Sequence, residues 1–281
     1  MRGMGGLRRI AKDEVRRDVD ERLRGAGLSR IEEVRAEDVV IVRYPKSGST
    51  WFGAMIAGAV FGLDLNRIPA RVLTQVVPGM HDVEHYRRFR TPMFFKSHLL
   101  PRPEYRRVVY VIRDGRDVMV SYLHHLRRTG LVDESVDLVQ LLRSPDLLFP
   151  STWQEHVEAW KSNPHGAEMM TIRYEDLLAD PVPELRRVCA FAGLERDPAL
   201  LVAVVEQASF ERMQVKERKA KEVAGQRLPA ERLFFRRGQA GSYRDEMTAE
   251  ALEAFMDQAG PTLRRFGYPT TESGLETAGT R

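Results

Sequence analysis

The chain has 281 residues, of which 43% are hydrophobic and 30% are charged, with a net charge of +4. These values indicate a soluble globular protein of one large α/β domain or two small ones. No apolar run reaches the ~18 residues of a membrane span, and the basic N-terminus lacks the apolar centre of a secretory signal. The single cysteine, Cys189, excludes an internal disulfide, so we predict a reducing, cytoplasmic location.

The charge balance indicates the kind of ligand. Lys and Arg number 44 against 40 Asp and Glu, and this small basic excess favours anionic ligands. It does not indicate nucleic acid, since the sequence has no RNP-like, zinc-finger or helix-turn-helix pattern. The seven His are scattered and there is only one Cys, so we expect no metal site.

A charged helical pattern precedes the main domain. Arg alternates with Asp and Glu through Lys12–Arg24, as on a solvated helix face. We therefore divide the chain into a charged helical segment at residues 1–38, one domain over residues 39–268, and a polar tail at residues 269–281. The tail is expected to be disordered.

The first strand–turn–helix unit spans Val39–Gly62. The β-branched run Val39–Val42 suits a strand that is buried on both faces. In the turn that follows, Lys46 supplies a positive charge and Gly48 lets the backbone approach an anion closely. Hydroxyl donors stand at Ser47, Ser49 and Thr50. Because a helix N-terminus has free N–H groups, this turn is predicted to bind a phosphate.

This turn is not the Walker A loop of nucleotide kinases and ATPases. In that pattern the lysine follows the glycines. Here Lys46 precedes Gly48, which is the only glycine of the turn, and Val40 occupies the position of the first Walker glycine.

The next segment, Asn66–Arg90, is predicted to be irregular because it contains Pro69, Pro78 and Gly79. A long loop beside a phosphate site often forms a wall of the substrate pocket. An ordinary surface connection fits the sequence equally well.

A short strand is predicted at Met93–Phe95, with Lys96 and His98 at its end. Side chains two positions apart on an extended chain point the same way, so these two share one face. A lysine and a histidine that leave a strand together indicate an active site. A lone histidine at such a position is more often structural.

Arg107–Thr129 repeats the strand–turn–helix architecture. Val108–Ile112 predicts a buried strand, and Arg113 follows at its carboxyl end, where open α/β sheets bind ligands. Ser121 lies about two turns along the next helix. The Arg113 guanidinium suits a phosphate, although a structural salt bridge would explain an isolated arginine as well.

The rest of the chain alternates helices with one strand. Trp153, Val157 and Trp160 form an apolar stripe that is predicted to be core. The predicted elements are a helix at Pro150–Lys161, a strand at Met169–Tyr174, helices at Pro183–Gly193 and Pro198–Gln207, and a final helix at Thr248–Phe266 interrupted at Gly260 and Pro261. The charged segment Val215–Arg232 shows no clear period. It is predicted to be a lid that orders on ligand binding, with a mobile surface loop as the alternative.

Several of these motifs resemble, in the same order, those of the cytosolic-type sulfotransferases that use 3′-phosphoadenosine 5′-phosphosulfate (PAPS). The matching segments are Tyr44–Trp51, Lys96–His98, Arg113–Tyr122, Tyr174–Leu177, Ala208–Met213 and Arg236–Gly238. The chain departs from the family at Ser49 and Ala208, which replace Thr, and at Arg237, which replaces Lys. The resemblance implies a single P-loop-like α/β domain, with helices on both faces of a central parallel sheet.

The resemblance also implies roles for individual residues. His98 would be the catalytic base, and Lys46 and Lys96 would stabilise charge on the transferring group. PAPS would be the co-substrate, without a metal. Its implied binding residues are Lys46, Ser47, Gly48, Ser49, Thr50 and Trp51 in the 5′-phosphosulfate loop. Those implied for the 3′-phosphate are Arg113, Ser121, Arg236, Arg237 and Gly238, and those implied for the adenine are Tyr174, Ser209, Phe210 and Met213.

The implied reaction is in-line transfer of a sulfuryl group to an acceptor hydroxyl or amine. The acceptor, a small molecule, a glycan or a lipid, stays open, as does the oligomeric state, since Arg244, Thr248, Ala249 and Glu253 match a family dimerisation motif imperfectly. Two alternatives are a P-loop-type nucleotide kinase, which would require Mg²⁺ and ATP, and a non-catalytic nucleotide-binding protein.

Overall fold

The structure, a computed structural model, describes residues 16–223, 235 and 237–270. In chain order its elements are α1 (16–25 in its described part), β1 (Leu28–Arg30), β2 (Val39–Arg43), α2 (Ser49–Phe61), α3 (Ala70–Val76), β3 (His85–Arg87), β4 (Phe94–Ser97), β5 (Arg107–Ile112), α4 (Gly115–Arg128), α5 (Leu138–Leu142), a 3-10 helix (Pro145–Leu147), α6 (Trp153–Ser162), β6 (Glu168–Arg173), α7 (Tyr174–Ala179), α8 (Pro181–Phe191), α9 (Pro198–Gln207), α10 (Phe210–Val223), α11 (Tyr243–Glu246) and α12 (Ala249–Arg265).

Four parallel strands form the central sheet in the order β4–β2–β5–β6. Strand β2 is interior, and Val39 lies opposite Phe94 of β4 and Arg107 of β5. All five residues of β2 are buried, as its β-branched run predicts for a strand covered on both faces. The predicted parallel sheet is confirmed.

Helices cover both faces of this sheet. Val40 and Val42 pack into a core shared with α4, α6 and α12. Val39 and Ile41 point the other way, into a core shared with α2, α8 and α9, because successive side chains of a strand alternate between faces. The predicted α/β fold is confirmed, and the predicted tryptophan stripe of α6 lies in the first core.

Two segments that were predicted to lack strands form a second, antiparallel sheet. Leu28 of β1 pairs with Arg87 of β3, and Arg30 pairs with His85. Strand β1 lies in the segment predicted to be helical, and β3 lies with α3 in the segment predicted to be irregular, so both expectations were wrong in part. Strands of three mixed residues are too short to show an alternating pattern.

The last helix is continuous, whereas the sequence predicted an interruption at Gly260 and Pro261. Pro261 lies inside α12. Proline removes one helical hydrogen bond, but its neighbours Ala259 and Leu263 are fully buried. The free energy gained by burying that face of α12 therefore outweighs the cost of the hydrogen bond lost at Pro261.

The predicted lid is helical in its first part. Helix α10 extends to Val223, while residues 224–232 lie outside the described part of the chain, as do residues 1–15 of the N-terminal segment and 271–281 of the tail. Within the described residues, no helix combines the length and the apolar character of a membrane span.

Candidate active site

The carboxyl ends of all four parallel strands meet at one cavity of about 980 Å³. The turn after β2 supplies Lys46 and Gly48, while β4 leads to His98, β5 to Arg113 and β6 to Tyr174. Tyr174 begins α7, although the sequence predicted it at the end of the strand. Ligands of open α/β sheets bind at this edge. The structure thus brings four separately predicted motifs together.

The phosphate-binding turn has a backbone that depends on glycine. Gly48 is the N-cap of α2 with φ 82°, and no side chain of the described residues caps this helix. A Cβ atom at Gly48 would lie 2.8 Å from the Tyr174 ring. Lys46 also adopts a left-handed conformation, with φ 71°. The uncapped amides of the first turn are therefore available to an anion.

Two polar atoms of the site fit an anionic ligand. The Ser47 hydroxyl oxygen and the Arg113 Nε are buried and have no hydrogen-bond partner among the described residues. Buried polar atoms are normally paired. Ser47 lies inside the turn, whereas Ser49, Thr50 and Trp51 line the cavity. The chemistry of these donors matches the phosphates of the predicted co-substrate.

Lysines concentrate positive charge at this turn. Burial, with the charges of Arg128 and Arg113, lowers the pKa of Lys46 to about 7. Burial and the charge of Arg43 lower the pKa of Lys96 to about 8. An anion bound in the cavity would raise both pKa values and so favour the charged form of both lysines.

His98 has a fixed ring orientation. Its Nδ1 lies 2.9 Å from the Arg43 carbonyl oxygen, which can only accept, so Nδ1 carries the proton and donates. Burial, and then the charge of Arg43, hold the pKa of His98 well below its usual range. At neutral pH the ring is therefore neutral, with Nε2 as its basic nitrogen.

Hydrogen bonds from side chains of β5 and α6 support the segment that carries His98. His156 Nε2 donates to the His98 carbonyl oxygen at 3.1 Å, and the Tyr110 hydroxyl lies 3.1 Å from His156 Nδ1. Trp160 Nε1 donates to the Leu99 carbonyl oxygen at 3.1 Å. The sequence predicted only a core role for Trp160 and none for His156, because these partners meet only after folding.

The residues assigned to the 3′-phosphate lie around Arg113. Arg113 donates to the Lys46 carbonyl oxygen at 2.9 Å, and its guanidinium lies 4.4 Å from the centre of the Tyr174 ring. Ser121 and Arg237 line the same cavity, and Arg237 also donates to Asp245 at 2.9 Å. Arg236 lies outside the described residues, and the assignment of all these residues to the 3′-phosphate stays a prediction.

The residues assigned to the adenine, Tyr174, Ser209, Phe210 and Met213, divide into two groups. Two residues assigned to the phosphates, Trp51 and Gly238, contact the same segment. Trp51 Nε1 donates to the Ala208 carbonyl oxygen at 2.8 Å, and Ser209 and Phe210 line the cavity. Gly238 has φ 62°, and a Cβ atom there would collide with the Phe210 ring. Met213 instead packs into the core that contains α2, α8 and α9. It therefore supports the residues of the site without lining the cavity.

Asp117 organises the glycine-rich segment near the cavity. Its carboxylate accepts from the Gly241 N–H at 2.7 Å and from the Tyr243 N–H at 2.9 Å. In the sequence Asp117 lies in the family motif Arg113–Tyr122, which implies no role for it. Its contacts lie far along the chain, so only the motif could have indicated it.

The cavity also has an aromatic and apolar wall. The His81 ring lies 4.8 Å from the His98 ring and 6.3 Å from Phe149, measured between centres. Leu131 and Phe149, both lining the cavity, are 66% and 47% exposed. His81 belongs to the segment predicted as a possible substrate wall, and its position agrees with that interpretation.

The fold and the site define a nucleotide-dependent transferase: an α/β sheet with a phosphate-binding turn and a histidine at its edge. No cluster of three or more His, Cys, Asp or Glu in the described part of the chain could hold a metal ion. The sulfotransferase domain model matches residues 36–267. The chain belongs to this family, and the predicted sulfotransferase activity is confirmed.

Individual relatives agree with this assignment. Human sulfotransferase 1C2 is 24% identical over 246 residues, which cover 79% of this chain and 82% of the relative. Flavonol 3-sulfotransferase of Flaveria bidentis is 26% identical over 250 residues, covering 77% and 78%. The crystal structure of retinol dehydratase in a complex with retinol and PAP has a TM-score of 0.65, at 19% identity and 85% coverage of each chain.

Proposed function

We propose that this sulfotransferase transfers the sulfuryl group of PAPS to a hydroxyl or amine of a small apolar acceptor, with His98 as general base. One observation carries the proposal: the phosphate-binding turn, the two lysines and the neutral His98 converge at one cavity. The PAP in the complex of the related fold is consistent with a donor of this kind.

The chain's own residues account for the proton and the charge. PAPS, when bound, supplies the sulfuryl group and leaves as PAP, adenosine 3′,5′-bisphosphate. His98 Nε2 accepts the proton of the attacking hydroxyl. Lys46 stabilises the negative charge that develops on the departing phosphate, and Lys96 lies in the same cavity to neutralise the sulfuryl oxygens.

The cavity wall supports an acceptor with an apolar body. Leu126, Leu131, Tyr122 and Phe149 line the cavity with His81. A sterol, phenol or flavonol would cover such a surface better than a glycan, which needs many polar partners. The flavonol named for one relative is of this type. The proposed location is the cytoplasm, where the single buried cysteine would stay reduced.

The activity is tested with radiolabelled PAPS and a panel of phenols, sterols and amines, without and with Mg²⁺ and ATP. Label should pass to an apolar acceptor without Mg²⁺. Turnover of ATP that depends on Mg²⁺ would favour the kinase alternative. Binding of PAP without transfer to any acceptor would favour the non-catalytic alternative.

PAP should raise the melting temperature far more than AMP does. A ligand that binds only the folded state stabilises it, and AMP lacks the phosphate assigned to Arg113, Ser121 and Arg237. The measurement is a thermal shift at equal ligand concentrations. Equal shifts from both nucleotides would contradict the assignment of a 3′-phosphate site.

Binding of PAP should take up a proton above pH 7. Lys46, whose pKa in the free protein is about 7, loses its charge as pH rises, and a bound phosphate raises that pKa again. Affinity should therefore fall as pH rises above 7. Calorimetry at pH 8, in buffers of different ionisation enthalpy, should show an uptake that Lys46→Met lowers and that Lys161→Met, at an exposed lysine of α6, leaves intact. An uptake unchanged by Lys46→Met would contradict this linkage.

A further inference from the structure

Arg43, the last residue of β2, is a buried arginine without an ionic partner. Its side chain is 1% exposed, and its Nε has no hydrogen-bond partner among the described residues. No carboxylate of that part of the chain forms an ion pair with it; Asp82 acts on its charge only from further away. Burying a charge without a partner is unfavourable, so the buried guanidinium of Arg43 calls for a functional explanation.

Arg43 contacts both the phosphate-binding turn and the proposed base, His98. Its Nη2 donates to the Ser49 hydroxyl in the phosphate-binding turn, and its Nη1 donates to the Ile41 carbonyl oxygen at 3.2 Å. Its own carbonyl oxygen accepts from His98 Nδ1 at 2.9 Å. One residue thus joins the turn that holds the donor phosphate to the proposed base.

The charges around His98 come from several elements. Arg43 on β2, His81 in the loop before β3 and His156 on α6 all disfavour a proton on His98. Lys96 of β4 lies two residues before His98, and the Asp82 carboxylate lies 3.5 Å from His81. Arg43 is the strongest of these charges, and its own pKa of about 9 keeps it protonated at neutral pH.

We propose that Arg43 is a positioning residue for sulfuryl transfer, which fixes the Ser49 hydroxyl through its side chain and, as the residue whose carbonyl oxygen accepts from His98, places a positive charge near the His98 imidazole at neutral pH. This inference rests on the proposed role of His98 as base. Burial is the larger cause of the lowered pKa of His98, and the charge of Arg43 lowers it further, so that the ring can accept the acceptor's proton at and below neutral pH. The hydrogen bond keeps Ser49 in place for the donor phosphate.

The test of the charge is Arg43→Met, which keeps an unbranched side chain and removes the cation. The acidic limb of the pH profile of kcat/KM should move to higher pH by roughly one unit, and an NMR titration of the His98 ring should move by the same amount. Arg43→Lys, which keeps the charge, should leave both where they are in the natural protein.

The matched control is Arg90→Met. Arg90 is half-buried, donates to the Val60 carbonyl oxygen and also has an unpartnered Nε in the described structure, but it does not line the cavity. This variant should change neither the acidic limb nor the His98 titration. A purely structural role for Arg43 would lower the yield of folded Arg43→Met and leave both titrations unmoved, which would overturn the charge role.

The hydrogen bond is tested with Arg43→Lys and Ser49→Ala, alone and together. Each single variant should weaken PAP binding by roughly 3–10-fold, the share of one hydrogen bond, and the double variant should be no weaker than the weaker single. Additive losses would overturn the link. Because Arg43→Lys keeps the charge, this cycle stays informative if Arg43→Met does not fold.

These outcomes distinguish a failure of the inference about Arg43 from a failure of the assignment of His98 as base. If His98→Ala keeps its activity, the base assignment fails, yet the NMR titration of His98 still decides whether Arg43 acts on the ring. If His98→Ala loses activity while Arg43→Met leaves the acidic limb unmoved, the proposed function stands and the inference about Arg43 fails.

Discussion

Replacing His98 with alanine should lower kcat by roughly 10²–10⁴-fold, the usual contribution of a general base, while PAP affinity stays nearly unchanged. The structure supports both expectations. His98 donates through Nδ1 to the Arg43 carbonyl oxygen, which leaves Nε2 as the proton acceptor. The donors assigned to the phosphates are other groups: the turn at Lys46–Thr50, Arg113 and Ser121.

The measurement is turnover per folded molecule, with the melting temperature taken on the same sample. His165→Ala is the matched control, because His165 is exposed and should show turnover like that of the natural protein. If His98 only supports the strand end, His98→Ala should lower stability and the folded fraction should stay active. That result would remove His98 from the mechanism and leave Lys96 as the nearest candidate.

The pH dependence of this base follows from the direction of its pKa. Burial and Arg43 lower the pKa of His98 well below its usual range, so the ring stays neutral and basic into mildly acidic pH. Activity should therefore be lost only as pH falls through that lowered value. An acidic limb near the ordinary pKa of histidine, about 6.5, would contradict the environment described for His98.

The parts of the fold that were predictable from sequence are those with local signals. Strand β2 is a run of β-branched residues, and the turn at Lys46 and Gly48 has a composition that only a few backbone shapes accept. Arg113 and His98 follow predicted strands. Because the family resemblance implies a parallel sheet, and the carboxyl ends of parallel strands meet at one edge, these side chains were expected to lie together.

The parts that were not predictable depend on contacts between distant segments. His156 on α6 donates to the His98 carbonyl oxygen, and Asp117 on α4 accepts from Gly241 and Tyr243. Neither contact leaves a trace in a local pattern. Arg43 directly follows the predicted run Val39–Val42, and only the packing shows that its guanidinium is buried.

Replacing Lys46 with methionine should damage binding and rate together, unlike the loss of His98. We expect PAP affinity to fall by roughly 10–100-fold, because a buried charge partner of a phosphate is lost. The kcat/KM for PAPS should fall by roughly 10²–10³-fold, since the same ammonium would stabilise charge on the departing phosphate. Methionine keeps the length of the side chain, and at φ 71° it should be no more strained than lysine.

The control for this variant is Lys161→Met, since Lys161 is an exposed lysine in the last turn of α6. It removes the same charge from the chain, so any general effect of net charge on anion binding should appear there too. PAP affinity is measured by calorimetry and turnover with radiolabelled PAPS. A Lys46→Met protein that binds PAP like the natural protein, and loses only kcat, would limit Lys46 to the transition state; unchanged binding and turnover would exclude it from the site. The turn would then hold the phosphate through the α2 amides and its hydroxyls, which Ser49→Ala and Thr50→Ala would test directly.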